Sequence, residues 1–314
     1  MRILLIQPPS NIGFIDRVYM HEPLALEYLG AGLKIDGHEV LLHDGRVDPE
    51  ITAAAEEFCP HLVGLTSYTS QVPSVINLAG KLKNLACRPL VVVGGHHATV
   101  RPADFNIGAI DLIVVGEGVK ALREIARELA AKQDFESIPG LAIPGEALKF
   151  TLKRPHPELD ELPLPDRSLS ARYRDRYFSE WLRPLASIRT SLGCIGRCTF
   201  CALWSITEGK YLRRDPGKVV GELMAIEEKN VFFCDDESMC DVGRMRQLAE
   251  LIAENNIRKH YFLYARVDTI VRHPDLFAQW RNIGLRQVFV GMESYSDTHL
   301  QEMKKGITVA QQEE

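Results

Sequence analysis

The stretch SLGCIGRCTFC, Ser191–Cys201, places three cysteines at a C-x-x-x-C-x-x-C spacing on one tight loop. It closes an apolar run, LASIRTSL (residues 185–192), that reads as a β-strand, and further alternating strand and helix patterns follow it. Thiolates are soft ligands, suited to zinc or to iron-sulfur clusters. A structural zinc asks for four closed positions. Cys198 and Cys201 with Cys234 and Cys240 could supply them, although a helix and a strand separate the two pairs. Three thiolates on a four-iron cubane leave one iron open, and an open metal position is what a catalytic centre needs. Cysteine chemistry alone leaves both alternatives standing.

Upstream, short apolar runs alternate with amphipathic stretches: RILLIQ, PLALEYLGAGLKIDG, EVLLHDG, LVGLTSY, LVVVGGHH and LIVVGEG. This βα alternation predicts a parallel sheet covered by helices on both faces, of the doubly wound, flavodoxin-like kind. The first helix carries Leu26, Leu29 and Leu33 on one face, with Gly37 as its stop. The helix after SYTS repeats the pattern with Val75, Leu78, Leu82 and Leu85. In such sheets ligands bind beyond the carboxyl ends of the strands. Those ends read QPPSN (7–11), TSYTS (66–70), GGHHAT (94–99) and GEG (116–118), all rich in small or turn-forming residues. Gly94 and Gly95 could equally be plain turn residues. No G-x-G-x-x-G opens the first helix and no Walker A sequence occurs, so an ordinary dinucleotide or ATP site has no support. His96 and His97 are adjacent and point in different directions, which argues against a shared metal.

From about 136 to 186 the period is lost, with prolines at 139, 144, 155, 157, 163 and 165. This segment predicts a linker. Its Arg172, Tyr173, Arg174, Arg176, Tyr177 and Trp181 fit a strap packing between domains, because the interleaved Asp175 and Glu180 weaken a nucleic-acid reading. Length agrees with about two domains, given 314 residues of which 46% are apolar. The 42 acidic residues outnumber the 37 basic ones, and a net charge of -5 offers no general attraction to nucleic acid or anionic lipid. MRILLIQPPSN is too short for a signal peptide or membrane span, and seven cysteines are an odd count for a disulfide framework, so a cytoplasmic location is expected.

With Phe200 just before its last cysteine, the C-x-x-x-C-x-x-C loop resembles the signature of the radical S-adenosylmethionine (SAM) superfamily. The resemblance implies that Cys194, Cys198 and Cys201 hold a 4Fe-4S cluster whose open iron chelates SAM, and that an injected electron cleaves SAM to a 5'-deoxyadenosyl radical. NVFFCDDESM (230–239), HYFLYARVDTI (260–270) and RQVFVGMESYSD (286–297) look like the second, third and fourth strands of a parallel βα barrel, which carries catalytic groups at strand ends. By similarity, Asp235, Asp236 and Glu237 occupy the segment bounding the SAM amino group, and Arg266, Glu293 and Ser294 occupy segments that meet its carboxylate or ribose. A strand-end salt bridge is the plainer role for Asp236 or Arg266. Asp215-Pro216 and Asp241 read as helix starts, Gly284 and Gly306 as helix stops.

The front half, the phrase LDELPLPDRSL and the later KKGIT together resemble the cobalamin-binding group of radical SAM proteins, which includes magnesium-protoporphyrin ester cyclase and hopanoid enzymes. The implied organisation is a cobalamin-binding domain at 1–135, a linker at 136–185 and a partial radical SAM barrel at 186–314, C-terminally incomplete because relatives continue for two more βα units. Cobalamin would meet Thr66, Ser67, Gly94, Gly95, Gly116 and Gly118. No D-x-H-x-x-G motif occurs, so no histidine is offered as lower cobalt ligand. The implied function is radical methyl transfer or cyclisation on a small-molecule, lipid, tetrapyrrole or natural-product substrate, with an external reductant such as flavodoxin or ferredoxin. The rival is a non-catalytic corrinoid or iron-sulfur binding protein, or an inactive truncated fragment.

Overall fold

The computed structural model describes every residue except 11–14, 132–133 and 181. Asn11 and Trp181, named above, therefore lie outside the described residues. The chain divides into two compact units, Met1–Pro157 with Glu161–Arg176, and Glu158–Asp160 with Tyr177–Glu314.

The first unit is built on β1 (Arg2–Gln7), β2 (Glu39–Asp44), β3 (Leu62–Thr66), β4 (Leu90–Gly94) and β5 (Leu112–Val114). These five strands are parallel and lie in the order β2-β1-β3-β4-β5, the flavodoxin-like arrangement. Ile3, Leu4, Leu5, Val63, Val91 and Val93 are fully buried, as expected for strands covered on both faces. Helices α1 (Leu24–Ile35), α2 (Ile51–Phe58), α3 (Val72–Lys83) and α4 (Gly118–Ala131) supply that cover. α1 packs with α4 and α2 with α3, so the sheet is doubly wound. Gly37, at φ +78, follows α1 as its expected stop.

The stretch 136–185, expected as an interdomain linker, is divided between the two units. Its first part extends the front sheet through β6 (Leu141–Ile143) and β7 (Lys149–Phe150), both antiparallel. Two prolines and a glycine-rich turn hid these short strands from a periodicity reading. The 3₁₀ stretch Arg167–Arg176 packs on α1 and along β2, the edge strand of the sheet, so that edge is covered. Leu169 fits against Gly30, where an added Cβ would lie 2.2 Å from its Cδ1.

The second unit carries β8 (Leu185–Ile188), β9 (Asn230–Phe233), β10 (His260–Arg266) and β11 (Leu285–Gly291), parallel and in sequential order. Helices α5 (Pro216–Ala225), α6 (Val242–Glu254) and α7 (Pro274–Ile283) connect them, making a curved βα wall. Asp215 and Asp241 cap α5 and α6 by accepting from Lys218 N and Arg244 N. Alternation splits the strands into two faces. Val231, Phe233, Tyr261 and Leu263 pack toward the helices with Met245, Leu248 and Trp280. Phe232, Phe262 and Tyr264 cluster separately. Gly284 ends α7 as expected. Gly306 does not end the next helix: Asp297–Glu302 stops earlier, and Lys304 takes the left-handed turn at φ +51.

Candidate functional site

β8 delivers the chain to a short strand, Ser191–Leu192, which pairs with Leu212–Arg213 and closes the base of the cysteine loop. Gly193 makes the turn at φ +101, and any Cβ there would lie 2.0 Å from the Lys210 carbonyl oxygen, so only glycine fits. Beyond it Cys194, Cys198 and Cys201 line one hollow with Gly196, Leu203, Trp204, Thr207 and Gly209. The Gly196 N–H donates to Cys194 Sγ at 3.3 Å, and the Cys201 N–H to the Cys198 carbonyl at 3.2 Å. Burial pushes the Cys194 thiol up, so a metal arriving there must displace a proton.

These residues fit a cubane. Among the described residues no three His, Cys, Asp or Glu side chains converge as ligands of a single ion. Three half-buried thiols around a mostly apolar hollow suit a multi-iron cluster, where each thiolate meets its own iron.

The ends of the other strands hold this loop. Asp235, at the end of β9, is buried and accepts from Thr190 N and Oγ1, both at 2.6 Å, and from Ser191 N at 2.9 Å. Asp236 accepts from Gly193 N at 2.7 Å. Glu237 is buried beneath β10 and accepts from Arg266 N at 3.4 Å; burial pushes its carboxyl up to about 7. The three adjacent acids thus brace the loop base and the neighbouring strand end. Arg266 donates through Nε to Asp268 at 2.8 Å and through Nη2 to the Lys305 carbonyl at 2.6 Å. Its Nη1 lies against Gly196, where a Cβ would come within 2.9 Å. Glu293 sits at φ +69, a conformation side chains rarely adopt, and accepts from Lys305 Nζ at 2.8 Å. Ser294 Oγ accepts from Ser296 N at 3.2 Å.

Three participants carry no simple sequence signal. Thr190 and the buried Arg244, whose Nη2 donates to the Thr190 carbonyl at 2.9 Å, look like ordinary polar residues in a sequence. Lys305 lies within KKGIT, a phrase whose resemblance marks the family without a role for any one residue.

In the first unit the predicted glycines sort by what surrounds them. Thr66, Ser67, Gly94, Gly95 and Gly116 meet at the carboxyl ends of three neighbouring strands. Ser67 Oγ donates to the Gly94 carbonyl at 2.9 Å, and Thr99 Oγ1 donates to the Gly95 carbonyl while accepting from Gly116 N. Gly95, at φ +98, lets the Thr66–Ser67 backbone approach: a Cβ would stand 2.8 Å from Ser67 N. Gly118 serves packing, since a Cβ there would lie 3.3 Å from Leu29 Cδ2. Among the described residues, Gly94 has only Val114 beside its Cβ position and Gly116 has none within 4 Å, which leaves room there for a flat macrocycle to approach the backbone. His97 is buried, its ring nitrogens facing Thr69 Oγ1 at 3.0 Å and Asp104 at 2.9 Å. His96 is stacked on Tyr68 with ring centroids 5.0 Å apart.

Fold and site together define a cofactor-binding α/β protein with a small-residue sheet edge in one unit and a three-thiolate cluster loop in the other. The B12 binding domain family model matches residues 11–126, and the Radical SAM superfamily model matches residues 188–314. The chain belongs to the cobalamin-binding radical SAM proteins. It is 30% identical to the hopanoid C-3 methylase of Methylococcus capsulatus over 98% of this chain and 60% of that protein. Its fold matches the cobalamin-dependent SAM radical enzyme OxsB, solved with aqua-cobalamin and SAM, at a TM-score of 0.81 and 18% identity, covering 99% of this chain and 46% of that one. It also matches the radical SAM methyltransferase TsrM from Kitasatospora setae, solved with cobalamin and a 4Fe-4S cluster, at 0.78 and 22%, covering 98% and 64%. The chain therefore spans about half to two thirds of the length of these relatives. No helix among the described residues is long and apolar enough to cross a membrane.

Proposed function

We propose that this chain is the cofactor-binding body of a cobalamin-dependent radical SAM methyltransferase acting on an unactivated carbon of a small-molecule or lipid substrate. The observation that carries the reading is the set of three thiols around one hollow at the end of the first barrel strand, braced by the ends of the next three. When bound, the cluster with SAM supplies radical chemistry and the corrinoid supplies a transferable methyl group. Cys194, Cys198 and Cys201 hold the iron. Arg266 and Glu293, at the ends of β10 and β11, stand where the SAM carboxylate and ribose would be met. Gly94 and Gly116 would leave the sheet edge open to the corrinoid, and the sequence offers it no D-x-H-x-x-G histidine.

Methyl transfer is favoured over cyclisation because the hopanoid methylase matches at 30% identity, against 27% for a magnesium-protoporphyrin ester cyclase over the same 98% of this chain. Phe289, 55% exposed with its ring centroid 5.3 Å from that of Tyr264, ends an aromatic ladder that runs from the buried Phe232 and Phe262, and offers an apolar surface suited to an apolar substrate. The required electron comes from a low-potential carrier such as flavodoxin or ferredoxin, and reduced thiols fit the cytoplasm.

The test is anaerobic reconstitution with iron, sulfide and hydroxocobalamin. About four irons per chain, lost in Cys198→Ala, and a reduced-cluster resonance perturbed by SAM are expected. Reductive formation of 5'-deoxyadenosine separates the enzyme from a non-catalytic binding protein. The cobalt(II) spectrum is expected to lack protein nitrogen coupling. A cluster indifferent to SAM, or zinc in place of iron, would overturn the reading.

A further inference from the structure

Lys305 is buried to 7% exposure, although an ammonium is costly to remove from water unless it is paired. Its Nζ donates to Glu293 Oε1 at 2.8 Å and stands 5.9 Å from the centre of the Phe200 ring, within cation–π range. Its carbonyl accepts from Arg266 Nη2 at 2.6 Å. Two residues earlier, the Met303 carbonyl accepts from Thr199 N at 2.9 Å. The turn after the last described barrel strand is therefore latched onto the cysteine loop between Cys198 and Cys201. It also grips Arg266 and Glu293, which lie at the ends of two different strands. Gly291 makes room for the ammonium, since a Cβ there would come within 2.8 Å of Nζ.

We propose that Lys305 is a positioning residue that sets the cluster loop and the SAM-facing groups in register, through Phe200 on one side and Glu293 and Arg266 on the other. This rests on the reading of Cys194, Cys198 and Cys201 as cluster ligands. A charge that served stability alone could be satisfied at the surface, where an exposed ion pair avoids desolvation. Burying it between two functional segments adds a side-chain tie, to Glu293 and Phe200, to the main-chain bonds that Met303 and Lys305 accept from Thr199 and Arg266. The loop needs such a tie: Phe200 is 54% exposed and the thiols are only half-buried, so packing alone holds it weakly.

The experiment compares the full chain with Lys305→Met, which keeps the stem, and Lys305→Arg, which keeps the charge. In metal-free protein, iodoacetamide alkylation of Cys198 and Cys201, mapped by peptide mass, is expected to quicken about tenfold in Lys305→Met, as loss of one partner of a buried pair predicts. Cys59 and Cys87, in the other unit, are internal controls and stay unchanged. In reconstituted protein, the SAM concentration that half-perturbs the cluster resonance is expected to rise about tenfold, with Lys305→Arg recovering most of both effects. Wild-type alkylation rates and SAM response in Lys305→Met would overturn the proposal. Should that variant fail to fold, Phe200→Leu, Glu293→Gln and the double variant replace it. Effects on SAM response that are less than additive support one shared tie, and additive effects overturn it. If the wild-type cluster ignores SAM, the functional reading fails, while the alkylation comparison still decides the role of Lys305.

Discussion

Asp235 shows how one buried carboxylate sets the geometry of a cofactor loop. It receives three donors from Thr190 and Ser191, and Arg244 holds the Thr190 carbonyl from the opposite side. Burial raises its carboxyl pKa, and the Thr190 and Ser191 hydrogen bonds work against that rise. A carboxylate in this position satisfies both N–H groups and the hydroxyl at once. Asp235→Asn keeps the shape but turns an amide NH₂ toward donors. The expected cost is about 1–3 kcal/mol, the range for leaving a buried group unsatisfied. Urea unfolding of the metal-free chain measures it. Iron retention after reconstitution should fall in the same variant, because the loop base at Ser191–Gly193 loses its anchor. Full stability would show that Asp235 is not the brace its hydrogen bonds describe.

The 3₁₀ stretch Arg167–Arg176 is held onto α1 by charge as much as by shape. Ser170 Oγ donates to Glu27, Arg174 pairs with Glu22, and Arg172 reaches the Leu42 carbonyl of β2 at 3.2 Å. The Glu27 carboxyl is pushed up to about 8, first by burial and then by the adjacent Glu22 carboxylate, against the pull of Ser170, Arg167 and Arg174. A raised carboxyl pKa means the folded protein holds the proton more tightly than the unfolded chain. Stability from this group is thus fully present below the ordinary value of 4.5 and is lost as pH rises through about 8. Urea midpoints measured from pH 5 to 8 should decline more steeply in the wild type than in Glu27→Gln, which cannot ionise. Parallel profiles would place the charge elsewhere. This element also marks the limit of sequence reading. Hydrophobic period revealed the five parallel strands and two of their four helices, because each buries a regular stripe such as Val75, Leu78 and Leu82. The proline-rich stretch has no period, so its attachment to α1 depends on contacts such as Leu169 with Gly30, which lie far apart in the chain. The cysteine loop was legible because its spacing resembles a family signature, whereas the chemistry of its thiols alone left zinc and iron-sulfur both open. The brace from Asp235 and the tie from Lys305 were not legible, since any strand-end acid or lysine looks the same in one dimension.

At the scale of the molecule, the residues proposed for each cofactor fall within one unit. The cysteine loop and its braces, from Thr190 to Lys305, all belong to Glu158–Asp160 with Tyr177–Glu314, while Thr66, Ser67, Gly94, Gly95 and Gly116 belong to the other. Each unit also has its own buried core, one around Leu4, Val63 and Val91 and one around Val231, Phe233 and Trp280. A domain with its own core can fold around its own ligand. Loading of iron and of cobalamin should therefore be separable. Cys198→Ala is expected to lose the cluster and still take up about one corrinoid per chain. Gly94→Leu places a side chain on the low edge beside Val114, and is expected to keep about four irons while cobalamin affinity drops about tenfold or more, the scale of a steric block in a shaped site. Iron analysis and the visible cobalamin spectrum, taken on the same gel-filtered samples, read both outcomes together. Loss of both cofactors in either variant would mean that one site is completed only when the other is filled, and would move the corrinoid-binding determinants away from this edge.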